Sequence, residues 1–219
     1  MTAWAGLPEP TGAMGLGLIA HRIDPEAGGD NTSAGMRSIE SAPVVGVEMD
    51  VLVTDGRLVV AHDRASTAGV PEPLEDVLAA GGLPVMLDLK EASAGAGVAS
   101  CEWAGEDRFL HVGDHGAIQS LCRRARGVHV GLTWESPEYP GDLLDRLGAE
   151  VLNLGWWCVR PELVAAAHSD GRSVTVWTVD HPELARQLAG LGVDALVTNR
   201  PRHLAGALAV PSASKEVVS

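Results

Sequence analysis

The chain has 219 residues, enough for one large domain with a sizeable core, and its 46% hydrophobic and 21% charged content excludes a disordered chain. A formal net charge of -13 argues against a nucleic-acid partner, so an anionic substrate would need a bound cation, or Arg and Lys gathered in one cleft. Cys101, Cys122 and Cys158 lie far apart with no CxxC spacing, which excludes a zinc-ligand or disulfide framework as the organising feature.

No stretch reaches the roughly 18 uninterrupted apolar residues of a membrane span, and "MTAWAGLPEPTGAMG" lacks the basic and apolar regions of a leader. A cytoplasmic protein without stable membrane insertion is expected. Strand patterns fall at 16–21, 45–53 extended by 57–62, 83–90, 109–113, 128–134, 150–156, 173–179 and 194–198. Between them lie helical patterns such as "PLEDVLAAGG", "GAIQSLCRRARG", "RPELVAAAHSDG" and "HPELARQLAGLG", several opening on Pro or an acid and ending at Gly. The Ala/Gly-rich stretch 91–108 suits a poor helix or a loop equally well.

Strands alternating with helices in this way form parallel sheets, and eight such units predict a single (β/α)8 TIM barrel, with a doubly wound open sheet as the rival. The expected organisation is an N-terminal extension over 1–14, the barrel over 15–208 and a flexible tail over 209–219. Barrel active sites lie at the C-terminal ends of the strands. Several reactive side chains fall there.

His21 and Arg22 end the first strand. Glu48 and Asp50 in "VEMDV" are two apart, so both carboxylates share one face of the second strand. Buried together they need positive charge, and a divalent cation with oxygen ligands supplies it. "VVAHD" adds His62, and "VMLDLK" adds Asp88 and Lys90, again on one face. Three carboxylates for a metal, two histidines able to exchange protons near neutral pH, and two cations suit displacement at a phosphate diester.

The ordered segments "AHRI", "GDNT", "VEMDV", "AHD", "LDLK", "VWTV" and "GVDALVTNRP" resemble the glycerophosphodiester phosphodiesterase family over about residues 17–203. That family reads A-H-R-G, P-E-N-T, V-E-x-D-V, H-D, E-x-K, W-T-V and G-V-D followed by T-D-x-P. The resemblance implies His21 and His62 as the acid/base pair, and Glu48, Asp50 and Asp88 as ligands of Mg2+ or Ca2+. It implies that Arg22 and Lys90 hold phosphate oxygens and that Trp177 lines the pocket of a small-molecule phosphodiester. Which histidine is acid and which base is left open.

The chain departs from the family at four places. Ile23 stands where Gly is usual, beside the first histidine; Gly29 and Asp30 replace Pro and Glu; Asp88 replaces Glu; and Asn199 replaces Asp. The usual insertion after H-D is also reduced to a few residues in "RASTAGVPEPLEDVL", which predicts a mouth open on that side.

Six Trp against one Phe and one Tyr is an unusual balance, and Trp134, Trp156, Trp157 and Trp177 fall near predicted strand ends. Trp156 and Trp177 are expected in an aromatic wall that receives the leaving alcohol or the group attached to it. His111 and His115 are further candidates for the pocket. The functional reading is a metal-dependent phosphodiesterase. The alternatives are a lyase or synthase using the same barrel on another phosphate compound, and a non-catalytic metal- and phosphate-binding barrel.

Overall fold

Four- to nine-residue runs of aliphatic side chains give strands buried on both faces, with helices covering the outside. The structure, a computed structural model, describes residues 15–64 and 71–209. The expected extension over 1–14, all but the first residue of the tail, and positions 65–70 in the shortened stretch after His62 lie outside these.

In chain order the strands are β1 (Gly17–Ala20), β2 (Ile23–Asp24), β3 (Gly29–Asp30), β4 (Gly46–Thr54), β5 (Arg57–Val60), β6 (Val85–Leu89), β7 (Phe109–Gly113), β8 (His129–Trp134), β9 (Val151–Gly155), β10 (Ser173–Trp177) and β11 (Ala195–Thr198). The helices are α1 (Ser33–Ile39), α2 (Leu74–Leu78), α3 (Ala92–Val98), α4 (His115–Cys122), α5 (Gly141–Leu147), α6 (Pro161–Ser169), α7 (Pro182–Gly190) and α8 (Pro201–Ala209). β1 pairs in parallel with both β4 and β11, which closes the sheet into the (β/α)8 barrel. An open doubly wound sheet would leave two free edges.

β5 is the antiparallel return of β4 around Asp55 and Gly56, whose φ values of 50° and 74° suit a tight hairpin. This return delivers His62 to the same end of the barrel as Asp50, and the Ala61 amide donates to the Asp50 carbonyl at 3.1 Å. Alternation along the strands divides the core. Ile19, Met86, Leu110, Val112, Val151, Ala195 and Val197 pack inside the barrel, while Val47, Met49, Leu87 and their neighbours face the helices.

The ambiguous stretch 91–108 contains α3 and a short 3-10 turn at Glu102–Gly105. Its small residues follow from packing: a Cβ at Gly95 would stand 2.2 Å from the Ala117 carbonyl oxygen of α4. The β2–β3 hairpin meets α1 in the same way, since a Cβ on Gly29 would lie 2.4 Å from the Gly35 Cα. Gly29, in place of the family's Pro, therefore serves contact with the helix.

Ile23 adopts φ 73°, a left-handed conformation that costs a β-branched residue about 1–2 kcal/mol. Its side chain is fully buried in the layer beneath the helices and does not line the cavity at the barrel mouth. Burial outweighs strain here. Ile23→Gly is expected to destabilise the protein by about 2 kcal/mol, because losing a buried Ile costs about 2–5 kcal/mol and relief of backbone strain returns only part. Urea unfolding checks this, and a variant more stable than the parent would show that strain dominates.

Candidate active site

Period-two alternation on β4 turns Glu48 and Asp50 inward, and the same alternation on β6 turns Asp88 to meet them. One ligand oxygen from each of the three carboxylates lies within 4.8 Å of the others. Lys90, just past β6, sets its Nζ 2.8 Å from Asp50 Oδ1 and 2.5 Å from Asp88 Oδ2. Arg22 donates its backbone N–H to Glu48 Oε2 at 2.8 Å and holds its Nε 3.4 Å from Asp50 Oδ2. Asn31, in "GDNT", donates from Nδ2 to Asp50 Oδ2 at 2.8 Å.

These contacts govern the charges. Burial, followed by the Asp50 and Asp88 carboxylates, pushes Glu48 well above the usual carboxylate range. Burial also raises Asp88, against the pull of Lys90. For Asp50, burial is outweighed by Lys90, Asn31 and Arg22, and its carboxyl is held down. Burial opposes the Lys90 ammonium, yet Asp88 and Asp50 raise its pKa.

Such an acidic cluster fits a hard divalent cation. Its donors are all carboxylate oxygens, and Asp50 Oδ1 is buried without a hydrogen bond, its ion pair with Lys90 aside. Glu48, Asp50 and Asp88 would hold the ion. The set does not distinguish Mg2+ from Ca2+.

The two histidines stand in different settings. His21 is 17% exposed, with Nδ1 2.7 Å from Asn199 Oδ1 and Nε2 3.8 Å from Glu48 Oε2. Burial lowers its pKa, against the Asn199 hydrogen bond. His62 is 42% exposed and has Nδ1 3.3 Å from Asp63 Oδ2. Both line one cavity of about 240 Å3 with Arg22, Glu48, Asp88, Lys90 and Trp177. That volume suits a small polar group.

The tryptophans separate. Trp177 lines the cavity and meets Trp157 edge-on at 5.3 Å, and Trp157 meets Trp156 edge-on at 5.8 Å. Trp156 and Trp157 are 46% and 45% exposed, so a stair of three rings climbs from the cavity to the surface. Trp156 is its outer step and is not part of the lining. Trp134 is absent from it, and its Nε1 donates to the Glu138 carbonyl at 2.8 Å.

His111 and His115 do not join the pocket. His111 alternates to the outside of β7, where its Nε2 lies 2.9 Å from the Ala104 carbonyl oxygen and burial lowers its pKa to about 4. His115 opens α4 in an exposed position beside Gln119. Sequence reasoning gave no role to Asn31, Asp180, Glu135 or the barrel-floor chain in which Thr175 and Thr133 bracket Asn153. Asn31 alone had a signal, its place in the family's P-E-N-T segment.

Comparison with known proteins points the same way. The profile of the "Glycerophosphoryl diester phosphodiesterase family" matches residues 95–203. A glycerophosphodiester phosphodiesterase of Caldanaerobacter subterraneus is 25% identical, over 85% of this chain and 95% of its own length. An Oleispira antarctica phosphodiesterase, solved in complex with the product sn-glycerol-3-phosphate, superposes with a TM-score of 0.76 at 18% identity, covering 89% of this chain and 97% of its own. A glycerophosphodiester phosphodiesterase of Parabacteroides distasonis gives a TM-score of 0.72 at 22% identity, covering 88% and 96%. The profile match begins after Lys90, so the acidic cluster and both histidines stand on their geometry. Together these matches support assignment of the chain to the glycerophosphoryl diester phosphodiesterase family.

Proposed function

We propose that this protein is a divalent-metal-dependent phosphodiesterase that hydrolyses a glycerophosphodiester or a related alkyl phosphodiester, with the reaction contained in the barrel over 15–208. The observation that carries this reading is the convergence of Glu48, Asp50, Asp88, Lys90, Arg22, His21 and His62 at one barrel mouth, in a chain that matches this family. A bound Mg2+ or Ca2+ would neutralise phosphoryl oxygens there.

The chain's own residues supply the rest. Arg22 and Lys90 meet the remaining phosphoryl oxygens. A neighbouring hydroxyl of the glycerol group attacks phosphorus as one histidine takes its proton; the bond to the leaving alcohol breaks as the other histidine protonates that oxygen. The cyclic phosphate is then opened by water with the proton transfers reversed. A phosphomonoester such as sn-glycerol-3-phosphate, the product held by the Oleispira relative, is the expected end point.

Trp177, with Trp156 further out, receives the leaving alcohol or its substituent. No described helix is long and apolar enough to cross a membrane. The three free thiols suit a reducing compartment, and a cytoplasmic location belongs to the same proposal.

Chelation tests it. Incubation with EDTA is expected to abolish release of the monoester from a glycerophosphodiester, followed by phosphorus NMR, and added Mg2+ or Ca2+ is expected to restore it. Full turnover in the chelated protein would remove the metal from the mechanism.

A further inference from the structure

Asn199 was an unexplained departure from the family's Asp, and its surroundings give it a role. Asp180, between β10 and α7, accepts the Asn199 backbone N–H at 2.8 Å and the Thr198 hydroxyl at 3.0 Å on Oδ1. Thr198 Oγ1 itself accepts the Arg200 N–H at 3.0 Å, so its single proton is directed to Asp180. Asp180 Oδ2 lies 2.8 Å from Asn199 Nδ2.

A carboxylate has only lone pairs to offer, so the end of the Asn199 amide that faces it must be the NH2 group. The opposite end, Oδ1, then faces His21 Nδ1 at 2.7 Å. An amide oxygen only accepts, so Nδ1 must carry the ring proton. The lone pair of the neutral imidazole is left on Nε2, which has no partner within hydrogen-bond distance among the described residues and belongs to a ring that lines the cavity. An Asp at 199 would instead set a second carboxylate against Asp180.

We infer that Asn199 and Asp180 are positioning residues that hold His21 in its Nδ1–H tautomer, which makes Nε2 the acceptor of the attacking hydroxyl's proton. The catalytic half of this statement rests on the proposed function; the tautomer does not. By this arrangement His21 is the base of the first step, and His62 is left to protonate the leaving oxygen.

The test uses an exchange of the two side chains. In Asp180→Asn, the new amide keeps its oxygen toward the Asn199 N–H and the Thr198 hydroxyl and turns its NH2 toward the Asn199 side chain. Asn199 must flip to meet it and present NH2 to His21, which drives the ring proton to Nε2. In Asp180→Asn combined with Asn199→Asp, a carboxylate at 199 again accepts from both sides, and the Nδ1–H tautomer returns.

Nitrogen-15 NMR of the imidazole rings at pH 8, with the His21 signal assigned by its absence in His21→Ala, reads the tautomer directly. The expected series is Nδ1–H in the parent, Nε2–H in the single variant and Nδ1–H in the exchange. With a glycerophosphodiester as substrate and metal present, kcat is expected to fall about 100-fold in the single variant with KM changed less than about threefold, and to recover in the exchange. An Nε2–H parent, or a tautomer unmoved by Asp180→Asn, would overturn the inference. Absence of turnover in the parent would count against the proposed function, whereas the tautomer series is read without any substrate.

Discussion

His21→Ala is expected to lower kcat for a glycerophosphodiester by about 1,000- to 10,000-fold while leaving the protein folded. The ring is a cavity-lining proton acceptor whose Nδ1 is tied to Asn199, and no other described imidazole makes that contact. The cost to folding is small by comparison. The lost contact is one hydrogen bond to Asn199, worth about 1 kcal/mol, on a side chain that already touches solvent.

His62→Ala should also slow turnover, but for a different step, and leaving-group chemistry separates the two. A p-nitrophenyl phosphodiester expels an alcohol that needs no proton at departure. With that substrate the His62→Ala loss should shrink to less than about tenfold, while the His21→Ala loss persists, because acid catalysis matters only for a poor leaving group. If the good leaving group rescued His21→Ala instead, the two histidines would exchange roles. Comparison of kcat for the two substrates across both variants decides it.

The fold was readable because its signals are local. Period-two alternation in "VEMDV" and "VMLDLK" put three acids on inward faces, and the regular strand and helix spacing left few ways to close the sheet. Stretch 91–108 was ambiguous because its Ala and Gly serve contact with α4, a property of the partner helix that no propensity carries. His111 misled for a related reason. A strand-end histidine looks catalytic until its register is known, and one residue of register moves it from the cavity to the outer face.

Ile23 stands where the family has Gly, beside the first histidine. Its side chain turns to the outer core, so the local anomaly is one of backbone conformation. Asn199 and Asp180 were hidden more deeply. Nineteen positions separate them, and their meaning appears only when Asp180 is seen to orient Asn199, which in turn meets His21.

Glu48→Gln should abolish turnover and yet raise the melting temperature of the metal-free protein. Burial and the charges of Asp50 and Asp88 push the Glu48 carboxyl far up, which means that its ionised form is disfavoured in the folded state. The sign of the pH dependence follows. An acid with a raised folded pKa binds its proton more tightly folded than unfolded. Parent stability therefore falls as pH climbs above the unfolded value of about 4.3, and the full penalty is present once pH exceeds the folded pKa.

Gln carries no such penalty and keeps an oxygen to accept the Arg22 N–H. In EDTA at pH 8 the variant should gain about 1–2 kcal/mol, or about 2–8 °C for a chain of this length, and the gain should vanish below about pH 4. Excess divalent metal should invert the order, since an ion that binds only the folded parent at 100 times its Kd adds about 2.7 kcal/mol and the variant has lost a ligand. Thermal scans at two pH values, with and without metal, supply all the comparisons. A Gln variant less stable than the parent in EDTA at pH 8 would mean that the Glu48 charge is compensated within the protein, and the acidic cluster would lose its strain argument for a cation. An inverted order of melting temperatures on adding Mg2+ or Ca2+ would instead tie that stored repulsion to the ion, and hence to the chemistry at the barrel mouth.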